Sequence, residues 1–117
     1  MYQPENNRQI NGNLEPEIGR KLDYIFGKAT GRLHNLERSL SMLKALERIG
    51  IHDTSTSRIY LTKHFQQVFH NPDSISSQNG NWVKRESLLA GPRGFLKVES
   101  TWNDNKLITV VLKGTGG

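Results

Sequence analysis

The segment WVKRESLLAGPRGFLKVESTWNDNKLITVVL, residues 82–112, decides the fold because its apolar residues alternate with polar ones. A period of two residues is typical of β-strands, and it predicts strands over residues 82–89, 95–102 and 106–112. Two groups of turn-forming residues separate these runs, Gly91-Pro92-Arg93 and Asn103-Asp104-Asn105. Connections this short join antiparallel neighbours. The segment therefore predicts a three-stranded antiparallel meander.

Upstream of the meander, apolar residues recur with the period of an α-helix. A leucine stripe between Gly31 and Gly50 has spacings of three and four residues and consists of Leu33, Leu36, Leu40, Leu43 and Leu46. We expect this stripe to face the sheet, with Thr30 capping the start of the helix and Gly50 ending it. A second helix is predicted from the capping residues Asp53-Thr54-Ser55 to about residue 69. Helices followed by an antiparallel meander predict an α+β domain, with the helices packed on one face of the sheet.

The length of the chain, 117 residues, suits one domain. We assign residues 28–113 to that domain. Residues 1–27 are predicted to form a polar lead-in that contains at most a short helix over residues 16–25, with Pro16 in its first turn. Residues 114–117 are rich in glycine and are predicted to form a flexible tail.

Charge and composition narrow the classes of function. The net charge is +5, and residues 81–117 carry six cations against three acidic residues. Such a bias is typical of a protein with a phosphate-rich partner, although a merely solubilising surface has the same charge. The chain has no cysteine, its four histidines lack the spacing of a zinc site, and no apolar run approaches the ~18 residues that span a bilayer. We therefore expect no metal, no cofactor and no membrane association.

The register of the strands brings a set of polar side chains together. Keeping the apolar residues on one face sets Glu99 opposite Thr109 in the second hairpin and opposite Arg85 in the first. A first hairpin shifted by one residue would oppose Glu86 and Glu99, a like-charge pair that costs up to about 1 kcal/mol. The preferred register gathers on one face Arg85, Ser87, Lys97, Glu99, Thr101 and Thr109. This cluster is compact enough to hold one phosphate, and the alternative is an ordinary solvated strand face.

Several segments resemble a known family. They are residues 29–40 (ATGRLHNLERSL), 85–94 (RESLLAGPRG), 97–102 (KVESTW) and 107–110 (LITV). Together they resemble the C-terminal toxin domains of bacterial polymorphic and contact-dependent inhibition proteins. The order of helices and sheet is also similar to that of the barnase, EndoU, colicin and RelE superfamily of small ribonucleases.

The resemblance implies a metal-independent ribonuclease, commonly directed at transfer RNA. It implies a domain that is secreted as part of a larger cell-surface protein and delivered to the cytoplasm of a target cell. It also implies a cognate immunity protein as a partner and, in some relatives, a translation elongation factor. Two other readings of the residues stay open, a non-catalytic RNA-binding module and a protein-interaction domain of a secretion system.

Cleavage of RNA without a metal needs a base, donors for the phosphate charge, and an acid. We assign charge stabilisation to Arg85 and Lys97, and phosphate positioning to Thr109. Glu99 is interpreted as the residue that organises the site, and His34, one helical turn before Arg38, as the proton carrier. Contacts to RNA are expected from Arg38, Ser87, Arg93, Thr101 and Trp102.

Overall fold

The computed structural model describes residues 4–114, with side chains described from residue 14 onward. Within this range the chain forms three α-helices followed by a four-stranded antiparallel sheet, which confirms the predicted α+β class. The elements are α1 (Pro4–Ile25), α2 (Leu33–Arg48), α3 (Ser55–His70), a 3-10 helix (Pro72–Ser74), β1 (Ile75–Asn79), β2 (Trp82–Gly91), β3 (Gly94–Asn103) and β4 (Lys106–Gly114). Of the predicted tail, Gly114 ends β4, and residues 115–117 lie outside the described range.

Helix α1 is longer than the short helix that the sequence predicts, and Pro16 lies inside it rather than in its first turn. Its described half places an apolar residue on the same side at every third or fourth position. Leu14, Ile18, Leu22 and Ile25 are all buried in the core. This regular stripe packs α1 against α3 and β4. Residues 14–25 therefore contribute to the same core as the rest of the chain.

Helix α2 buries only the C-terminal end of the predicted leucine stripe, where Leu46 is in the core and Leu43 packs against it. Leu33 is 70% exposed and Leu40 is 48% exposed, whereas the buried residues are Ser39, Met42, Ala45 and Leu46. The hydroxyl of Ser39 donates to the carbonyl of Tyr24 and accepts from the backbone N–H of Ala29, so this face also fastens the end of α1. The predicted Thr30 cap is wrong, since the helix begins at Leu33 after Arg32.

The boundaries of α3 and the end of α2 agree with the sequence. Gly50 follows α2 with a φ of 85°, which favours glycine. The side chain of Thr54 accepts a hydrogen bond from the backbone N–H of Ser57 at 3.0 Å and caps α3. The apolar face of α3, Leu61, Phe65 and Val68, is buried.

The sheet has the order β1-β2-β3-β4, and every neighbouring pair is antiparallel. The three predicted strands are confirmed as β2, β3 and β4. Strand β1 was not predicted, because its five residues are all exposed and show no apolar alternation. The helices cover the face that carries Leu89, Leu96, Val98, Trp102, Leu107 and Val110, all of which are buried.

The predicted register of the first hairpin is wrong by one residue. The hairpin closes at Gly91 opposite Gly94, so Arg85 lies opposite Ser100, and Glu86 lies opposite Glu99. This shift turns Arg85 toward the helices, where carbonyl groups at the end of α3 accept its hydrogen bonds. In the other register, Glu86 would meet those carbonyls. Hydrogen bonds to a charged group contribute about 1.5–3 kcal/mol each, which outweighs the repulsion between the opposed glutamates.

The predicted register of the second hairpin is wrong by two residues. Glu99 lies opposite Val111, and Thr109 lies opposite Thr101. The turn at Asp104 and Asn105 is followed by a bulge, so the pairing shifts between Thr101 and the next residue. A shift of two residues leaves every side chain on the same face of the sheet. The faces predicted for β3 and for β4 from Thr109 onward are therefore right although the partners are not. Leu107, predicted on the same face as Thr109, is instead buried against the helices, because the bulge changes the parity of β4.

Candidate functional site

One face of the sheet is not covered by helices and carries a compact set of polar side chains. Exposure alternates along β2 and β3, and the residues that point away from the helices are exposed or half-buried. In the central rows of β2, β3 and β4, the polar members of this open face are Lys84, Glu86, Lys97, Glu99, Thr101, Thr109 and Lys113. Trp82, at one end of the same face, is 50% exposed.

The open face is arranged in rows that run across the strands. The row of the two glutamates, Glu86 and Glu99, lies between a row with Lys84 and a row in which Lys97 is opposite Lys113. The Nζ atom of Lys113 is 3.8 Å from Oε2 of Glu99. In the described part of the chain, Glu86 makes no ion pair. The face thus holds one carboxylate that is paired and one that is available to a ligand.

Four of the six residues in the predicted cluster share this face, and two do not. Lys97, Glu99, Thr101 and Thr109 are on the open face, whereas Arg85 points to the helices and is 8% exposed. Its Nη1 donates to the carbonyls of Val68 and Asn71 at 3.2 and 3.0 Å and to Oγ of Ser74 at 2.9 Å. Burial lowers the pKa of Arg85. The geometry makes Arg85 a clamp between β2 and the end of α3, where a cation suits the helix dipole.

Ser87 also points to the helices, and its partner is a histidine that the sequence analysis set aside. Nε2 of His64 lies 3.0 Å from Oγ of Ser87. The imidazole is half-buried, and burial lowers its pKa. A groove of about 360 Å³ beside this pair is lined by Gln67 and Asn71 at the end of α3 and by Glu86 and Leu88 of β2. The signal in the sequence was the position of His64, directly before Phe65 and three residues after Leu61 on the buried face of α3.

A structural comparison relates this chain to a known protein. The fold is similar to that of a chain solved in a contact-dependent growth inhibition toxin–immunity protein complex from Klebsiella pneumoniae 342, with a TM-score of 0.69 and 31% sequence identity. The match covers 81% of this chain and 90% of the Klebsiella chain. This chain belongs to the contact-dependent growth inhibition toxins. No protein-family model and no curated protein matches the sequence of this toxin domain.

The remaining residues that were predicted to bind or cleave RNA lie apart from the open face of the toxin domain. Trp102 is fully buried, donates from Nε1 to Oγ of Ser100 at 3.0 Å, and stacks against Phe69. Arg93 is exposed in the turn between β2 and β3. His34 is exposed near the start of α2, so the sheet separates it from Glu99. The predicted contact between His34 and the cluster does not form.

Arg38 and Thr109 meet in a second groove of the toxin domain. This groove has a volume of about 330 Å³, lies between α1, α2 and β4, and is also lined by Lys21, Tyr24 and Asn35. Burial lowers the pKa of Lys21. Sequence spacing could not find the groove, because its two cations come from separate helices.

The described residues contain no group of three or more His, Cys, Asp or Glu side chains that could hold a metal ion. None of the helices in the described range is long and apolar enough to cross a membrane.

Proposed function

We propose that this toxin domain is an endoribonuclease, directed at transfer RNA, and that the open face is its active site. The observation that carries the proposal is the pair Glu86 and Glu99 with lysines in both neighbouring rows. A carboxylate that can accept a proton beside several ammonium groups is the chemistry that RNA cleavage needs.

The energetics of the sheet support a functional role for this pair. Directly opposed like charges destabilise a sheet by up to about 1 kcal/mol per pair. Two such pairs lie in adjacent rows here, Glu86 with Glu99 and Lys97 with Lys113. Arrangements that oppose folding in this way are expected at functional sites. The ion pair of Lys113 with Glu99 offsets only part of the cost, because it is long and half exposed.

In the proposed mechanism, Glu86 accepts the proton of the 2′-hydroxyl group. The 2′-oxygen then attacks the phosphorus atom, and the bond from phosphorus to the 5′-oxygen breaks. Lys97 stabilises the charge of the pentavalent phosphate, and an ammonium group of the face protonates the departing 5′-oxygen. The products are a 2′,3′-cyclic phosphate and a 5′-hydroxyl end. Glu99 holds Lys113 in place, and the hydroxyls of Thr101 and Thr109 bond the phosphate oxygens.

The open face also suits the recognition of RNA and of a protein inhibitor. Trp82 offers a half-exposed ring on which a base can stack. The excess of lysines attracts phosphates, and it equally attracts an acidic protein. The Klebsiella protein was solved with an immunity protein. We extend this to a cognate acidic immunity protein that covers the open face, and to delivery of the domain from a cell-surface protein into the target cytoplasm.

The test is to incubate the purified chain with transfer RNA and with total RNA and to size the products. Each reaction is run with and without EDTA, and with and without a translation elongation factor. The family resemblance implies this factor as an accessory partner. We expect fragments with cyclic phosphate ends whose yield EDTA does not change. Lys97→Ala should lower the rate by roughly 10²-fold, and Lys44→Ala on the exposed surface of α2 should not. Intact RNA in the presence of folded protein under every condition would show that the domain is not a ribonuclease.

A further inference from the structure

The groove between α1, α2 and β4 has an unusual balance of charge. It is lined by Lys21 and Arg38, together with Asn35, Tyr24 and Thr109, and no carboxylate lines it. Two cations near the groove do have acidic partners. Arg20 on α1 lies 3.1 Å from Glu17, and Lys28, just after α1, lies 3.0 Å from Asp53.

Neither cation of the groove has such a structural partner. Within residues 14–114, Lys21 and Arg38 make no ion pair, and the contact of Lys21 is with the ring of Tyr24, 5.6 Å from Nζ. Lys21 is half-buried, and burial lowers its pKa. Partly desolvating an ammonium group without a counter-ion opposes folding. An anion in the groove would relieve that cost.

The groove is continuous with the open face. Thr109 lines the groove and is also the partner of Thr101 on the open face. β4 is an edge strand, and the bulge near Thr109 interrupts its pairing with β3. A flexible chain that lies across the open face can therefore pass over this edge and reach Arg38 and then Lys21.

We propose that this groove binds the phosphate backbone of the RNA at nucleotides beyond the cleaved bond. The inference rests on the proposed function of the open face. Donors to phosphate oxygens come from the two cations, from the Asn35 amide and from the Tyr24 and Thr109 hydroxyls. The lining has no carboxylate that could accept hydrogen bonds from the amino groups of bases. The groove therefore contributes affinity without sequence selectivity, and only a substrate of several nucleotides reaches it.

The experiment compares the double variant Lys21→Met/Arg38→Gln with the control Lys44→Ala/Arg48→Ala, which removes two exposed cations of α2 outside the groove. Both are made in a Glu86→Gln background, and binding of a transfer RNA is measured against salt concentration. Losing two phosphate contacts should weaken binding at least about tenfold at low salt and reduce the slope of log K against log salt by roughly 1.4–1.8. Arg38→Lys should retain most of the affinity, because a phosphate site requires the charge. In the active background, cleavage of a dinucleotide should be unchanged.

An unchanged salt slope, or an equal change in the control, would overturn the proposal. So would an equal loss of dinucleotide cleavage, which would place the groove within the reacting centre. If the double variant binds RNA normally and loses only an immunity protein, the groove is a protein interface and the proposal also fails. A chain that cleaves no RNA but shows the expected change in slope would refute the nuclease while the groove remains an RNA site.

Discussion

Glu86 and Glu99 lie directly opposite each other on β2 and β3, on the face of the sheet that the helices leave open. Their partners differ, since Glu99 is 3.8 Å from the ammonium group of Lys113 and Glu86 has no cation within bonding distance in the described chain. The charge of Glu86 therefore has opposite effects on the stability of the sheet and on the proposed activity. Removing the charge of Glu86 relieves a repulsion in the sheet and, in the proposed mechanism, also removes the base.

Glu86→Gln is therefore expected to change stability and activity in opposite directions. The free energy of unfolding should rise by up to about 1 kcal/mol, because the like-charge pair is lost. The cleavage rate should fall by roughly 10²-fold or more. Urea unfolding and single-turnover cleavage measure the two effects. The matched control is Glu37→Gln on the exposed surface of α2, which should change neither quantity. A Glu86→Gln variant that cleaves at the parental rate would remove Glu86 from the mechanism.

Arg85 provides the opposite case, a cation that the structure uses to hold the fold. Arg85→Ala removes the charged donor to the carbonyls of Val68 and Asn71 and to the hydroxyl of Ser74, and the two carbonyls keep only neutral donors. We expect a loss of about 3 kcal/mol or more in the free energy of unfolding. Arg85→Lys keeps a donor in place and should be less destabilised. Its folded molecules should cleave at close to the parental rate. A stable Arg85→Lys variant that is inactive would instead place Arg85 in the reacting centre.

The alternation of apolar residues was enough to predict β2, β3 and β4 and to separate the two faces of β3 and of β4 after its bulge, because side-chain direction in an uninterrupted strand depends only on parity. It could not fix the partners. The register of the first hairpin depended on which groups Arg85 or Glu86 would contact on the helix side. Those groups are hydrogen-bond acceptors at the end of α3, which is distant in sequence. The register of the second hairpin depended on a bulge, and no pattern of apolar residues marks a bulge in the sequence. Two of the six residues of the predicted cluster, Arg85 and Ser87, were lost through the first of these errors alone.

The buried faces and the lengths of the helices were also only partly predictable from the sequence. Two faces of α2 satisfy the helical period, and the prediction followed the one with more leucine, of which only Leu43 and Leu46 pack in or against the core. The structure buries Ser39 and Met42 instead, because the Ser39 hydroxyl ties α2 to Tyr24. Helix α1 was underestimated because its first half is polar. The open face could thus be anticipated in part, whereas the groove with Lys21 requires the packing of three elements.

The ion pairs around Asp53 predict how stability responds to acid. Hydrogen bonds from Arg58, with a smaller contribution from Lys28, lower the pKa of Asp53 from 3.8 to about 2. Because the folded pKa is below the unfolded one, this contribution is complete above about pH 4 and is lost as the pH falls toward 2. Asp53→Asn should be less stable than the parent at neutral pH, and the difference should shrink toward pH 2. Chemical unfolding across this range measures it. Asp104→Asn, at a turn position with a φ of 52° that asparagine tolerates, is the control and should show no such trend.

His64 predicts a second pH dependence, in a higher range. Burial lowers the pKa of this imidazole in the folded protein from the ordinary value of 6.5. As the pH falls below that value, the unfolded chain takes up the proton first, so the stabilising contribution is present above about pH 6.5 and declines toward the folded pKa. His64→Gln, which can still bond Ser87, should flatten the change of unfolding free energy between about pH 5 and pH 7, while His52→Gln on the surface should leave it as in the parent. Cleavage should survive His64→Gln, because the imidazole bonds Ser87 on the helix side of β2 and takes no part in the proposed mechanism, although Glu86 also lines the groove beside it. Loss of cleavage with an unchanged fold would move the reacting centre to the groove beside His64.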